Sequence, residues 1–203
     1  MVPDINKGKA WQIGIAELHV PPFALQWEAI GPKHPLWIER IKLEITLIHK
    51  YIDYLCSEKS KPWFYIKPDT SPSIKGIVWR GNILVPAKPE INFDIVIVLN
   101  LDYPKVAPRA FVEERLIGLA GQKIYVKNRF PSEQDPRTGE WVKDPQTGKS
   151  YVMICHDHIA ELEGAWTPNL GIVHFFIREV WYWFAAMQNQ IVDLYNQQVD
   201  FSK

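Results

Sequence analysis

The residues best suited to covalent chemistry lie between positions 153 and 169 of the chain. Cys155 ends an apolar run and is followed at once by His156, Asp157 and His158. A cysteine that leaves an apolar strand for a polar loop is accessible to solvent but is held by a rigid element. A free thiol has a pKa of about 8.5, and a protonated imidazole beside it would lower that pKa. The pattern therefore predicts a nucleophilic cysteine, although each histidine could instead serve only to cap the loop.

Metal binding is an alternative use of the same residues. The four side chains from Cys155 to His158 all belong to types that coordinate metal ions, but four consecutive residues cannot all point at one ion. Structural zinc sites take paired ligands from two separated segments of the chain. The sequence has no second cysteine or histidine pair elsewhere, and this disfavours a metal site.

A cysteine hydrolase is a second alternative. It would need a histidine as general base and a further residue that orients this histidine. The remaining histidines lie in the N-terminal arm or in predicted helices, and they are His19, His34, His49 and His174. None of them has a protease signature around it, so the missing base disfavours a hydrolase.

The composition favours one compact domain and excludes several classes of function. The chain has 203 residues, of which 47% are apolar and 23% charged, so it can bury a substantial core. Lysine plus arginine and aspartate plus glutamate both number 23. No net positive charge would therefore hold the protein on nucleic acid or on an anionic membrane. Two cysteines about a hundred residues apart do not make up a disulfide framework.

The apolar segments do not predict export or a membrane span. Residues 1–9 lack the apolar core of a secretory signal, and the most apolar stretch, 172–191, is interrupted by Arg178 and Glu179. We therefore expect a cytoplasmic protein.

Two predicted helices flank the strands that lead to Cys155. Residues 1–33 contain four prolines among apolar residues and are expected to form an irregular arm packed on the domain. From about 34 to 58, apolar residues recur at helical spacing and polar residues take the other side. Cys56 falls near the apolar side, where we expect a buried and unreactive thiol. From 172 to 195, apolar residues cover most of the circumference, which predicts a long buried C-terminal helix.

Between these helices the sequence predicts a four-stranded antiparallel meander sheet. Aromatic and β-branched residues mark strands at 63–67, 77–85, 91–101 and 109–113. A run of strands between two helices indicates an α+β fold with the helices on one side of the sheet.

A polar insertion separates this sheet from Cys155. The sequence DPRTG at 135–139 is echoed by DPQTG at 144–148. Proline sets φ in each turn and glycine takes the positive φ at its end, so each unit predicts a tight hairpin connection. We expect a surface β-ribbon at about 130–150 that contributes little to the core, within a single domain spanning 34–203.

The stretch from Phe93 to Pro108 resembles the third strand and the following tyrosine–proline turn of ubiquitin-conjugating enzymes. The chain is more similar still to the branch of this family that conjugates the ubiquitin-fold modifier, Ufm. The residues that match this branch in order and spacing are Leu36 to Lys42, Trp63, Phe64, Asn92 to Ile95, Ile154, Cys155, Asp157, His158 and Trp166. The resemblance covers about residues 36–196 apart from the ribbon, and the cysteine motif is its most specific part.

This resemblance implies a ubiquitin-conjugating (UBC) fold and an acyl-transfer activity. Cys155 would accept an activated ubiquitin-like modifier as a thioester from an activating enzyme and pass it to a lysine amine, with a ligase or scaffold as a further partner. His156, Asp157 and His158 would share the catalytic site, and no metal or organic cofactor is implied. The alternative is a non-catalytic protein of the same fold that only binds a modifier or scaffold; such relatives generally lack the cysteine.

The resemblance also places Lys123 in the active site. Most ubiquitin-conjugating enzymes carry a histidine–proline–asparagine triplet upstream of the cysteine, and the Ufm branch carries threonine–alanine–lysine. Gly121, Gln122 and Lys123 occupy that place here, so only the lysine is retained. Lys123 could stabilise the oxyanion that forms during aminolysis of the thioester, or it could be an ordinary exposed lysine.

These two interpretations of Lys123 differ in the step that they affect. A role in the transition state predicts that Lys123→Ala slows aminolysis of the preformed thioester by free lysine and leaves stability unchanged. Loss of one such donor costs roughly 3 kcal/mol in other enzymes. A single-turnover discharge assay measures this step. If the variant discharges at the parent rate, Lys123 is not part of the site.

Overall fold

One helix and six strands precede a helical C-terminal segment in the described part of the chain. The structure, a computed structural model, describes residues 30–57, 62–69, 76–85, 90–114, 124–154, 166–168 and 170–200. Helix α1 spans Trp37–Ser57, and the strands are β1 at Phe64–Pro68, β2 at Val78–Val85, β3 at Ile91–Val98, β4 at Arg109–Glu113, β5 at Ile124–Phe130 and β6 at Tyr151–Ile154. The C-terminal segment consists of α2 at Ile172–Phe175, a π-helical turn at Phe176–Val180 and α3 at Trp181–Asp200. The predicted α+β class is confirmed.

Helix α1 has the amphipathic pattern that its sequence predicts. Its inward side chains are buried against the domain, among them Trp37, Ile41, Ile48 and Leu55. Its predicted polar side is exposed, at Glu39, Lys42, Thr46, His49 and Asp53. The expected burial of Cys56 is wrong, because this residue is exposed. It follows the buried Leu55 by one position, which turns its side chain about 100° around the helix and away from the core.

The sheet contains six antiparallel strands within the described residues, so the predicted count of four is wrong. Their order is β1-β2-β3-β4-β6-β5. The four predicted strands are present, and β3 ends at Val98 instead of continuing to Leu101. The two additional strands flank the ribbon, and β6 pairs with both β4 and β5. A register shift between Tyr125 and Arg129 interrupts the β5–β6 ladder, which weakens the alternating pattern that would reveal β5 in the sequence.

The helices cover one face of this sheet. Residues from α1, from the strands and from the C-terminal segment form one large buried apolar cluster there. The predicted burial of the C-terminal helix is confirmed for the predicted core residues Phe175, Phe176, Val180, Trp181, Trp183, Phe184, Met187 and Ile191. Phe64 of β1 stacks on Phe176 with ring centroids 4.5 Å apart, which ties the first strand to the π-helical turn. Within the described ranges no helix is long and apolar enough to cross a membrane.

The opposite, outer face of the sheet has a smaller apolar centre. Val78, Val96, Phe111 and Tyr151 form a second buried cluster there. They alternate along their strands with residues of the large cluster, as the two faces of a pleated sheet require. The ribbon, residues 131–150, is attached to this outer side through polar contacts and adds no side chain to either apolar cluster.

The ribbon contains the two predicted tight turns. Each ends in a glycine with positive φ, 71° at Gly139 and 67° at Gly148, a conformation that glycine adopts without steric cost. The first turn closes a short hairpin in which Gln134 and Trp141 form a β-bridge. The predicted turn chemistry is therefore confirmed at both positions.

A buried carboxylate docks the second turn on the sheet. Asp144 is fully buried, and its Oδ2 accepts a hydrogen bond from Nη1 of Arg80 in β2. Oδ2 of Asp69, next to the end of β1, accepts from Nε of Arg80 at 2.9 Å and from Nε2 of Gln146 at 2.7 Å. The ribbon is thus more than the surface excursion that its composition predicts, because it supplies polar contacts that the outer face would otherwise lack.

Lys149 makes a second attachment between ribbon and sheet. Asp94 of β3 and Glu113 of β4 lie side by side on the outer face, where two adjacent carboxylates repel each other. Nζ of Lys149 lies 2.6 Å from Oδ2 of Asp94 and 3.1 Å from Oε2 of Glu113. The hydrogen bond to Asp94, followed by the contact with Glu113, raises the pKa of Lys149 above its ordinary value. The ribbon therefore neutralises negative charge that the sheet presents.

Asp144 should matter to stability in a way that its counterpart in the first turn, Asp135, does not. Asp144→Ala removes one of the two carboxylates that Arg80 contacts, and the free energy of unfolding should fall by about 2 to 3 kcal/mol. Asp135→Ala removes the same group from a turn whose other residues are exposed, and should cost less than about 1 kcal/mol. Urea denaturation measures both. Equal losses in the two variants would contradict the docking role of Asp144.

Candidate functional site

The predicted catalytic residues Cys155, Lys123, His156, Asp157 and His158 lie outside the described residues. The structure does describe the elements at both ends of the cysteine segment, which we define as residues 155–170. Strand β6 ends at Ile154, immediately before the cysteine segment, and the C-terminal helical segment begins at Ile172, two residues after it. We call these two positions the near end and the far end of the cysteine segment. The candidate site is therefore built from the side chains that fix these two ends.

The near end of the cysteine segment leaves an interior strand. Ile154 is fully buried in the large apolar cluster, and its cross-strand partner in β5 is Ile124. Val152, two residues earlier, pairs with Val112 of β4. Because β6 has a partner strand on each side, its backbone is held by the ladder with β4 as far as Met153 and by the ladder with β5 as far as Ile154.

The far end of the cysteine segment is held by the buried carboxylate of Glu44. Oε1 accepts hydrogen bonds from Nε of Arg40 at 2.8 Å and from the hydroxyl of Tyr103 at 2.7 Å. Oε2 accepts from the backbone N–H of Ile172 at 3.0 Å. One carboxylate of α1 thus contacts its own helix, the turn after β3 and the start of the C-terminal segment.

Arg40 extends this contact to the cysteine segment itself. Its Nη2 donates to the backbone oxygen of Leu170 at 3.1 Å and to the hydroxyl of Tyr103 at 3.1 Å. Arg40 and Glu44 are both almost fully buried. Burial, and then the charge of Glu44, raise the pKa of Tyr103 well above its ordinary value although Arg40 opposes this. The phenol therefore stays protonated at physiological pH and remains a donor to Glu44.

Trp166 provides another anchor within the cysteine segment. Its Nε1 donates to the backbone oxygen of Pro104 at 2.6 Å. Its ring lies 6.1 Å from that of Tyr103 and 6.4 Å from that of Phe175, measured between centroids. The tyrosine–proline turn after β3 therefore contacts both the cysteine segment and, through Glu44, the helix that follows it.

Sequence reasoning missed the roles of Arg40 and Glu44. Both charged residues fall on the buried side of α1, between Trp37 and Ile48, and a spacing of four places them on one face of the helix. Charged side chains within a predicted apolar stripe are the signal that could have found them, because charges are almost never fully buried unless they are paired.

A groove of about 300 Å³ lies beside this network, between residues 31–35 and 101–105. Polar side chains of Lys33, His34 and Asp102 line it. Leu36, which follows the first segment, and Leu101, which lines the groove, are 50% and 54% exposed. The groove therefore has a mixed polar and apolar rim, and Tyr103, which donates to Glu44, is one of its lining residues.

Among the residues that the structure describes, no three histidine, cysteine, aspartate or glutamate side chains come together in a group that could hold a metal ion. In comparisons with known proteins, no protein-family model matches this chain. No curated protein is significantly similar to it in sequence.

The close approach of Gly171 to Glu44 gives a test of the network. A methyl group on Gly171 would clash with Oε2 of Glu44 and would be in tight contact with Oε1. Gly171→Ala should therefore displace the carboxylate and lower the free energy of unfolding by about 2 kcal/mol.

A double-mutant cycle, read by urea denaturation, identifies the cause of this loss. In a Glu44→Ala background the clash partner is absent, so Gly171→Ala should cost much less than in the parent. Strictly additive effects would show that Gly171 and Glu44 do not interact.

Proposed function

We propose that this protein is a conjugating enzyme for a ubiquitin-like modifier of the Ufm type, with a UBC-type fold. The observation that carries the proposal is the cysteine motif, in which Cys155 directly follows an interior strand and precedes Asp157 and His158. A nucleophile needs this combination of access and rigid support. The antiparallel sheet with helices on one face is compatible with the proposed fold.

The proposed reaction is two successive acyl transfers. The thiolate of Cys155 attacks the thioester carbonyl that joins the modifier to its activating enzyme, a new carbon–sulfur bond forms, and the thiolate of the activating enzyme leaves. A lysine amine then attacks the Cys155 thioester through a tetrahedral oxyanion, the Cys155 thiolate departs, and the amine loses a proton as the isopeptide bond forms. A protonated His156 or His158 would favour the thiolate of Cys155.

The pairing of Ile124 with Ile154 supports a role for Lys123 in this reaction. Lys123 directly precedes Ile124 in the chain, and Cys155 directly follows Ile154. In the proposed reaction, the ammonium group of Lys123 would stabilise the oxyanion.

The proposed partners are proteins: the modifier, its activating enzyme and a ligase or scaffold. A cytoplasmic location belongs to the same proposal, because thiols remain reduced there. The formal net charge of zero gives no support to nucleic-acid binding. The alternative function, a binding module of the same fold without catalysis, would not use the thiol of Cys155.

The test of the proposed function is thioester formation on Cys155 alone. When the parent protein is incubated with an activating enzyme, its Ufm-type modifier and ATP, we expect an adduct on a non-reducing gel that a reductant removes. Cys155→Ser should give a more stable ester because oxygen replaces sulfur, and Cys155→Lys should give an amide.

Cys56→Ser is the matched control, and the exposure of Cys56 makes it essential. This variant should form the adduct as the parent does. A reductant-sensitive adduct that survives Cys155→Ala would refute the assignment, and the absence of any adduct on the parent would favour the binding module.

A further inference from the structure

We propose that His174 makes the attachment of the C-terminal helical segment to α1 sensitive to mild acid. The neutral imidazole of His174 accepts a hydrogen bond at the first turn of the segment, and a protonated imidazole cannot accept it. This device would work whatever reaction the protein carries out, so it does not depend on the proposed function.

His174 completes the first turn of the C-terminal segment. The first N–H groups of a helix have no partner within the helix, and in a capping box the third helical residue accepts from the N–H of the N-cap residue. Gly171 is the N-cap here, and its N–H donates to Nδ1 of His174 at 3.0 Å. Glutamate or glutamine usually has this role. In this protein a buried imidazole has it.

The bond from Gly171 fixes the tautomer of His174. A ring nitrogen that accepts a hydrogen bond carries no hydrogen, so the neutral imidazole has its proton on Nε2. Protonation of the ring would place a hydrogen on Nδ1, directly facing the N–H of Gly171, and the bond would be lost. A free imidazole has a pKa of about 6.5, whereas a free glutamate has one of about 4.3. The first turn therefore loses an acceptor in mild acid that a glutamate would retain.

The charges near the start of the segment do not reverse this effect. Among the described residues, the titratable groups on the buried side of α1, in the turn after β3 and in the next turn of the segment itself are Arg40, Glu44, Tyr51, Tyr103 and Glu179. Burial raises the pKa of both phenols, so they are neutral at physiological pH. Glu44 accepts from the N–H of Ile172, and its charge would favour an imidazolium. Nε of Arg40, however, lies 2.8 Å from Oε1 of Glu44 and offsets that charge.

The first turn also begins the aromatic contacts of the C-terminal segment. The ring of Phe175 lies 6.4 Å from that of Trp166, and the next residue, Phe176, stacks on Phe64 of β1. An N–H that loses its acceptor in a buried place destabilises the structure around it. Mild acid should therefore weaken the attachment of the segment at the point where these contacts start.

His34 makes the same kind of bond at the start of α1 and provides a matched comparison. Its Nδ1 accepts from the N–H of Leu36 at 3.1 Å, but His34 is exposed. A protonated ring at this position can turn into water, and water can replace it as the acceptor. Acid should therefore have little effect through His34.

The test compares His174→Asn with His34→Asn in the full chain by urea denaturation at about pH 7.5 and about pH 5.5. The side-chain oxygen of asparagine can replace Nδ1 as an acceptor and does not titrate. The unfolded parent takes up a proton on this imidazole near pH 6.5 and the folded parent resists it, so linkage predicts a larger pH effect in the parent. Its unfolding constant should rise on the order of tenfold more than that of His174→Asn between the two pH values. His34→Asn should follow the parent.

NMR spectroscopy of the parent, with heavy nitrogen in its histidines, tests the premise without a variant and stays decisive if His174→Asn does not fold. It shows which ring nitrogen of His174 carries the hydrogen, and we expect Nε2 at neutral pH. A hydrogen on Nδ1 would overturn the proposal. An equal rise of the unfolding constant in the parent and in His174→Asn would also overturn it, because acid then removes no acceptor. A larger rise in the variant would show that Glu44 stabilises an imidazolium, which contradicts the proposal as well.

Discussion

The buried carboxylate of Glu44 is the constraint on which the arrangement of this domain depends. A carboxylate removed from water must be matched by donors, since an unpaired buried charge costs several kcal/mol. Its three donors come from α1, from the turn after β3 and from the start of the C-terminal helical segment. These three parts of the chain must therefore be in place together. The close fit of Gly171 against the same oxygens follows from this requirement, because a larger residue would separate the helix from its acceptor.

The two faces of the sheet are closed by different physical means. The inner face is covered by helices and is stabilised chiefly by burial of aromatic and aliphatic side chains, whose transfer from water is the main favourable contribution to folding. The outer face has a small apolar centre and a margin of charged residues, and there the ribbon provides counter-charges through Asp144 and Lys149. Apolar burial tolerates repacking, whereas ion pairs need defined geometry. Asp144 and Lys149 must be held in defined positions, which explains why a tight turn that ends at Gly148 lies between them.

The parts of the fold that the sequence predicts are those in which one local rule acts without competition. The period of Trp37, Ile41 and Ile48 predicts α1 because one face of the helix must be buried, and the repeated DPxTG units predict their turns because backbone sterics favour proline and glycine there. Tertiary contacts decide the rest. Glu44 and Arg40 become buried only because distant residues supply partners, and β5 is irregular because of its register shift against β6. Cys56 shows the limit of a prediction from apolar spacing. A shift of one residue along α1 rotates a side chain by about 100°, which decides whether it faces the core or solvent. Of the site, the sequence singles out Cys155 and its neighbours, while the anchors at the far end emerge only from the fold.

The two charged side chains that contact the far end of the cysteine segment, Arg40 and Glu44, form a pair with no net charge. Arg40 and Glu44 carry opposite charges 2.8 Å apart, so their fields largely cancel beyond the immediate contact, whereas a single charge would act over a longer range. Such a pair can fix the backbone at Leu170 and Ile172 while adding little to the electrostatic field outside its immediate surroundings. In the proposed reaction, the ionisation of Cys155 would depend on groups close to it in the chain, His156 and His158 above all. Removal of only one member of the pair would leave the other charge uncompensated, and its field would then extend beyond the immediate contact.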